Sequence, residues 1–337
     1  MKRLLLLALL AASPSWARPI DDALAADAKG DYATELRIIR PLAAQGEAWA
    51  QYFLGDIYRF GNGVVQDGAE AVRWYKLAAA QGHASAQYNL GVMYDEGTGV
   101  VQDGAEAVKW YKLAAAQGVA SAQSFLGDIY RFGNGVVQDD AEAVKWWRLA
   151  AAQGDASAQY NLGVMYDRGN GVVQDGAEAV KWWRLAAAQG DASAQYNLGV
   201  MYENGRGVVQ DYAEATKWYK LAAAQGNARA QSNLGVMYES GKGVVQDYAE
   251  AAKWYKLAAA QGFALAQSNL GSMYGTGRGV VQDYVRAHMW FNLAAVSGNK
   301  DAIKNRDVAA GVMTPQQIGE AQKLARECQA RQFKNCD

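Results

Sequence analysis

The chain repeats itself every 36 residues. The stretch from Gly82 to Gln117 reads GHASAQYNLGVMYDEGTGVVQDGAEAVKWYKLAAAQ, and copies of it begin at Gly46, Gly82, Gly118, Gly154, Gly190, Gly226 and Gly262. A fixed period of this length indicates a solenoid. Ordering one unit costs about 50 kcal/mol, and offsetting this needs about 2,000 Å² of apolar burial. A lone helix pair cannot bury that much, so the units must stack on one another.

Each unit contains two predicted helices. In the first copy Ala50, Leu54, Ile57 and Tyr58 form one apolar stripe, which predicts a first helix from Ala48 to Phe60. Gly55 lies beside the stripe, and we expect it to let the partner helix approach closely. The Gly-Asn-Gly segment at 61–63 ends the helix, and the two valines at 64–65 are expected to pack under the turn.

The second helix of the first copy begins at Asp67, which is predicted to be its N-cap. Glu70 stands three residues later, and the pair predicts a reciprocal capping box. The helix body carries Ala71, Trp74, Leu77 and Ala78 on one side. The equivalent tryptophans are predicted to form core between helices rather than a cofactor site; they are Trp74, Trp110, Trp146, Trp182, Trp218, Trp254 and Trp290.

The amino terminus has the pattern of a secretory signal. Lys2 and Arg3 precede an apolar run, and Ser15-Trp16-Ala17 predicts cleavage after Ala17. No later stretch has the length of a membrane span. Removing Lys2 and Arg3 leaves 31 basic against 34 acidic side chains, a balance that does not suggest a nucleic-acid partner. We therefore expect a periplasmic or secreted protein.

The predicted organisation has four parts: a signal peptide at 1–17, a divergent helix pair at 18–45, seven repeats at 46–297 and capping helices at 298–337. Pro41 is expected to kink the second leading helix or to begin a new turn. Thr314-Pro315-Gln316-Gln317 predicts the start of a final helix. Cys328 and Cys336 predict a local disulfide. A reactive or metal-binding cysteine pair is the alternative.

The repeated run Ala-x-Ala-Gln-x-x-Leu-Gly-x-x-Tyr-x-x-Gly-x-Gly-Val-x-x-Asp, followed by Ala-x-x-Trp-Tyr-x-x-Ala-Ala, resembles the Sel1-like repeat family, which is related to the tetratricopeptide repeat. The resemblance covers Gly46 to Ser297 seven times over. It implies an all-α fold, a right-handed superhelical α/α solenoid of helix-turn-helix repeats. It also implies an adaptor that assembles protein complexes, as many members do in the bacterial envelope.

A cysteine-rich branch of that family has been linked to penicillin binding and hydrolysis, but this chain lacks cysteines within its repeats. The segment Ser297-Gly298-Asn299-Lys300 matches Ser-x-x-Lys without the companion motifs of penicillin-recognising enzymes. His83 and His288 are far apart in sequence, so no metal site or His-based triad is proposed. We expect a non-enzymatic protein without cofactor or metal, with a β-lactam-active cell-wall hydrolase as the alternative.

The first helices offer a candidate binding face. At about 100° per residue, the side opposite the apolar stripe carries Tyr52, Asp56 and Arg59. In the resembling tetratricopeptide units such positions line the concave groove where peptides bind. The candidate residues are Tyr52, Asp56, Arg59, Tyr88, Asp95, Ser124, Arg131, Tyr160, Asp167, Tyr196 and Glu203. The alternative is a solvated face whose tyrosines fill gaps between units. We expect a monomer with an envelope or host protein as its partner.

Overall fold

The computed structural model of the protein describes residues 17–336. The predicted signal sequence, except for Ala17, lies outside these residues. Over the described range the chain forms eighteen α-helices and no strand. It divides after Asp155 into two compact units, which are treated separately below.

In the first unit the helices are α1 (Ala17–Lys29), α2 (Tyr32–Ala44), α3 (Ala48–Phe60), α4 (Gly68–Ala80), α5 (Ala84–Glu96), α6 (Gly104–Ala116), α7 (Ala120–Phe132) and α8 (Asp140–Ala152). In the second unit they are α9 (Ala156–Arg168), α10 (Gly176–Ala188), α11 (Ala192–Asn204), α12 (Tyr212–Ala224), α13 (Ala228–Ser240), α14 (Tyr248–Ala259), α15 (Ala264–Thr276), α16 (Tyr284–Val296), α17 (Lys300–Ala310) and α18 (Pro315–Ala330).

From α3 to α16 the helices pack as consecutive pairs, each first helix against the second helix of its own repeat, and each second helix also packs against the next first helix within its unit. The predicted all-α fold of 36-residue helix pairs is therefore confirmed. Its hydrophobic core is a series of local clusters, such as the one that α4 and α5 build around Tyr75 and Leu90. Each repeat thus depends on its neighbours for burial, as the cost of ordering a single unit requires.

The central aromatic residue of each repeat is the one after the predicted tryptophan. Tyr75 is 0% exposed, whereas Trp74 is only half-buried and lies against the cluster of α2 and α3. A Cβ atom built on Gly55 would lie 2.6 Å from two carbons of the Tyr75 ring, which confirms that this glycine permits close approach. Because the ring occupies the space left by glycine, the tryptophan is displaced toward the preceding repeat. Leu77, predicted to share the core side, is 44% exposed.

The N-caps of the second helices are confirmed, but the reciprocal capping box is wrong. Asp67 accepts hydrogen bonds from the backbone N–H groups of Ala69 at 2.9 Å and Glu70 at 3.1 Å. The backbone N–H of Asp67 is already used, since it donates to the Tyr58 carbonyl at 2.9 Å. Glu70 instead pairs with Arg73 at 3.4 Å. At the predicted start of the final helix, Thr314 and Gln317 do form a capping box with hydrogen bonds in both directions.

A buried glutamine links successive repeats, a role that the sequence interpretation had not assigned. The side-chain amide of Gln51 donates to the Ala43 carbonyl at 3.2 Å, and its oxygen accepts from Gln81 at 2.8 Å. The bond to the preceding helix recurs from Gln87 to Ala79, Gln123 to Ala115, Gln195 to Ala187, Gln231 to Ala223 and Gln267 to Ala259. The glutamine of Ala-x-Ala-Gln therefore satisfies carbonyls at the ends of second helices.

Of the two valines that follow each first helix, the first faces the core and the second faces solvent. Val64 packs against the core, but Val65, also predicted to pack under the turn, is 87% exposed. In an extended segment adjacent side chains point to opposite sides, so only one of the two can face inward. Pro41 lies inside α2, which runs without a break, so no new turn begins there.

The last two helices cover the end of the second unit. α18 packs against α16 and buries Ala321, Ala325 and Cys328. Trp290 is consequently 2% exposed, unlike its half-buried counterparts in the earlier repeats. Cys328 and Cys336 lie opposite each other, with 5.1 Å between their Cα atoms.

Candidate functional site

The structure places the candidate residues of α3 in different environments. Tyr52 is half-buried, and its ring stacks on His83 with the centroids 4.7 Å apart. Asp56 is 4% exposed and accepts hydrogen bonds from the Tyr75 hydroxyl at 2.6 Å and the Asn89 amide at 3.1 Å. Helix α3 packs against α4 and also contacts the next repeat. The side of α3 opposite its apolar stripe is therefore only partly exposed to solvent. Asp56 is therefore a buried structural residue and not part of an exposed binding face.

Most of the other candidates of the first unit also contact neighbouring side chains. The Tyr88 ring packs beside the stacked rings of Tyr111 and Phe125, with centroid distances of 5.9 and 6.0 Å. Ser124 is buried, and its hydroxyl donates to Asp155 at 3.1 Å. Of the charged candidates, Arg59 lies over the Phe60 ring at 5.4 Å, Arg131 pairs with Asp140 at 2.7 Å, and Asp95 has a pKa raised by partial burial.

In the second unit the acidic candidates are likewise engaged. Asp167 pairs with Arg206. Glu203 accepts a hydrogen bond of 2.5 Å from the buried Tyr219 hydroxyl. The two candidate tyrosines of this unit, Tyr160 and Tyr196, differ from these acids, because neither phenol hydroxyl forms a hydrogen bond within residues 17–336.

Tyr160 and Tyr196 line an open cavity of about 310 Å³ on the candidate face. The remaining lining residues are Ser193, Asn197, Asn227, Ala228, Arg229 and Phe263. The whole lining, including the two tyrosines, comes from α9, α11, the start of α13 and the N-cap of α15, so four successive repeats contribute. Burial raises the pKa of Tyr196, and the positive charge of Arg229 acts against that rise. We refer to this depression as the tyrosine cavity.

The side-chain amide of Asn197 is open to the tyrosine cavity because of a change one helix away. At the same repeat position, Asn233 and Asn269 hydrogen-bond to the hydroxyls of Tyr219 and Tyr255. For Asn197 the residue equivalent to those tyrosines is Trp183 of α10, which has no hydroxyl, and its indole N–H donates to the Tyr160 carbonyl at 3.2 Å. The amide of Asn197 makes no hydrogen bond within the described residues.

Arg229 is the cation of the tyrosine cavity. It is exposed, and it forms no salt bridge with any residue between 17 and 336. At the same position the preceding repeat has Ser193, and at the N-cap Asp191 is replaced by Asn227. Sequence reasoning missed Arg229, Asn197 and Phe263. The available signal was that Arg229 breaks a run of four repeats with serine at this position, Ser85, Ser121, Ser157 and Ser193.

The remaining chemical candidates have structural roles. His83 is the N-cap of α5, where its Nδ1 accepts from the Ala86 N–H at 3.3 Å, and burial lowers its pKa. The hydroxyl of Ser297, the candidate nucleophile, donates to the Ala294 carbonyl at 2.7 Å. Across residues 17–336 no cluster of three or more His, Cys, Asp or Glu side chains could hold a metal ion. Within that range no helix has the length and apolar character to cross a membrane.

Comparison with known proteins gives one family. The Sel1 repeat matches seven successive segments: 50–83, 84–119, 120–155, 156–191, 192–227, 228–263 and 264–299. Two solved structures resemble most of the chain. The first is c5321, described as a protective antigen present in uropathogenic Escherichia coli strains and displaying an SLR fold. It is 30% identical, with a TM-score of 0.55 and 96% of each chain covered.

The second is a Sel1 repeat protein from Oxalobacter formigenes. It is 36% identical, has a TM-score of 0.65, and the alignment covers 87% of this chain and 89% of that one. No curated protein matches the chain.

Proposed function

Since the chain belongs to the Sel1 repeat family, whose repeats mediate protein–protein interactions, we propose that it is a non-enzymatic adaptor that binds an extended segment of a partner protein. The tyrosine cavity is the observation that carries this proposal. It lies on the first helices, where two of the candidate tyrosines meet, and the side-chain polar groups of Asn197, Tyr160 and Tyr196 make no hydrogen bonds within the described residues. Aromatic rings with open hydrogen-bonding groups are typical of protein interfaces.

The environment of Ser297 supports an adaptor over a hydrolase. A serine nucleophile needs a base within hydrogen-bonding reach, whereas the Ser297 hydroxyl donates to a helix carbonyl. Ser297 is the C-cap of α16, a position where such a bond satisfies the helix end. The feature that motivated the hydrolase alternative thus has a structural explanation.

We also propose that the adaptor acts in the periplasm or outside the cell. The amino-terminal pattern of Lys2, Arg3 and an apolar run supports export. The facing positions of Cys328 and Cys336 fit a disulfide, which persists in oxidising compartments. The similar Escherichia coli protein is described as a protective antigen, which also fits a location accessible to a host. Alkylation of the purified native protein before and after reduction tests the pair: two thiols should react only after reduction.

Affinity capture from crosslinked envelope extract tests the adaptor proposal. The baits are the mature wild-type chain and the double variant Tyr160→Ser and Tyr196→Ser. Serine is a matched replacement, because Ser232 and Ser268 occupy this position in later repeats. The control bait carries Tyr284→Ala, which removes an exposed tyrosine outside the cavity.

A partner captured by the wild type and the control, but lost with the double variant, is the expected result. Equal capture by all three baits would show that the tyrosine cavity does not bind the partner.

A further inference from the structure

We propose that the tyrosine cavity is a carboxylate-binding subsite, which takes an aspartate or glutamate side chain of an extended peptide together with a neighbouring aromatic or large apolar side chain. The inference rests on the proposed function and specifies the chemistry of the partner. At about 310 Å³ the cavity is at the lower end of the range of roughly 300–1,000 Å³ for ligand sites, so it fits a short peptide segment.

The charge of the cavity selects an anion. Arg229 contributes a full positive charge, and no acidic residue is among the lining side chains. The acid that raises the pKa of Tyr196 is Glu203, and its carboxylate accepts the hydrogen bond from Tyr219. Compared with the preceding repeat, Asn227 and Arg229 replace Asp191 and Ser193, so this turn changes from negative to positive. Arginine recognises carboxylates through two parallel N–H···O bonds.

The neutral groups of the cavity supply further donors. The amide of Asn197 and the hydroxyls of Tyr160 and Tyr196 make no hydrogen bonds within the described chain. Together with the guanidinium they can satisfy both oxygens of a carboxylate and part of a peptide backbone. An ammonium group would find fewer acceptors here and would meet the charge of Arg229.

The apolar wall selects what accompanies the carboxylate. Phe263 stands where the preceding repeats have the polar N-caps Asn227 and Asp191, and its ring makes no cap hydrogen bond. It is half-buried against the terminal core cluster, so part of the ring remains available at the cavity. With the two tyrosine rings it forms a surface for a flat or branched apolar side chain.

The shape of the lining favours an internal acidic side chain over a carboxyl terminus. Side chains from four successive repeats contribute, and the cavity is open to solvent. A peptide can therefore continue past the subsite in both directions, whereas a chain terminus would use only one.

Titration of the mature protein with blocked peptides tests the proposal. The probes are acetyl-Gly-Gly-Glu-Phe-Gly-Gly-amide, its Gln and Lys counterparts, and acetyl-Gly-Gly-Phe with a free carboxyl terminus. The Glu peptide should bind about tenfold more tightly than the Gln peptide, the gain expected for a charge-assisted hydrogen bond. Arg229→Ser, which installs the residue of the preceding repeat, should remove that preference. Arg278→Ala removes an exposed turn arginine outside the cavity and should leave it unchanged.

Charge reversal provides the stricter readout. Arg229→Glu should make the Lys peptide the tightest ligand, a change that general loss of structure would not produce. Equal binding of the Glu, Gln and Lys peptides to the wild type would overturn the inference, as would tighter binding of the free carboxyl terminus.

The two proposals can fail separately. A partner captured by the wild type and equally by Arg229→Ser would retain the adaptor function and overturn the carboxylate subsite. Binding of the Glu peptide that depends on Arg229, without any captured partner, would support the subsite and contradict the protein adaptor.

Discussion

The hydroxyl of Tyr75 donates a hydrogen bond of 2.6 Å to the carboxylate of Asp56, and both side chains are buried between α3 and α4. Burial, and then the charge of Asp56, raises the pKa of Tyr75, so the phenol stays protonated as the donor. The same carboxylate oxygen also accepts from Asn89 of the next repeat. One acid thus joins the two helices of its repeat to each other and to the following repeat.

Asp56→Val tests this link, because Val92 occupies the same position in the next repeat. The variant leaves the buried Tyr75 hydroxyl and the Asn89 amide without their partner, which should lower the free energy of unfolding by about 1–3 kcal/mol. Urea denaturation measures the loss. The double variant Asp56→Val and Tyr75→Phe should recover part of it, and a double variant as unstable as the sum of the single changes would contradict the coupling.

Gly199→Ala should be strongly destabilising. A Cβ atom there would lie 2.4 Å from the Tyr219 ring, and the ring is fully buried and cannot retreat. We expect a loss of about 1–3 kcal/mol in thermal or urea unfolding. Gly319→Ala is the matched control in the same unit, because it is also helical and has no atom within 4 Å of the added Cβ. The control should gain up to about 1 kcal/mol. Similar losses in both variants would argue against a steric cause.

The sequence was sufficient to predict the fold because periodicity and caps act locally. The 36-residue period, the apolar stripe and the glycine turn predicted a first helix at Ala48–Phe60, which are the bounds of α3 in the structure. Trp74 packs against a core cluster as predicted, but the fully buried ring is that of Tyr75. Adjacent positions differ by only about 100° around a helix, so the sequence pattern did not decide between them. Which of the two meets Gly55 depends on how the helix pair is rotated.

The candidate face was predicted less well, since its residues depend on contacts between repeats. Selecting the helix positions opposite the apolar stripe identified Tyr160 and Tyr196, which line the tyrosine cavity. It also selected Asp56, which has a buried partner in the next repeat. Asn197 could not be found by local reasoning, because its open amide results from Trp183 replacing a tyrosine in another helix.

The stability of the first unit should depend on pH through Asp128. Burial raises the pKa of this carboxyl to about 6, with the Trp147 indole lowering it and Asp155 raising it further. The unfolded value is about 3.9, so the folded chain binds more protons between pH 4 and 6. Stability should therefore fall as the pH rises through that window and become level above it.

A rise in the pKa of Asp128 from about 3.9 to about 6 corresponds to about 3 kcal/mol, and the measured loss should be smaller because the side chain is only partly buried. Asp128→Asn should flatten this part of the pH profile in urea denaturation. A variant profile parallel to that of the wild type between pH 4 and 6 would contradict the assignment.

The hydroxyl of Tyr111 is buried without a hydrogen-bond partner in the described chain, whereas the equivalent hydroxyls of Tyr219 and Tyr255 donate to Glu203 and Glu239 at 2.5 and 2.8 Å. The residue at the position of those glutamates is Asp95, and its side chain is one methylene shorter.

Asp95→Glu should therefore supply the missing acceptor and raise the free energy of unfolding by about 1 kcal/mol, visible as a higher urea midpoint. Asp167→Glu is the control, because the matching aromatic residue is Trp183 and has no hydroxyl to satisfy. In Asp95→Glu combined with Tyr111→Phe the gain should disappear. A gain that persists in this combination would show that the longer acid stabilises the helix by another route.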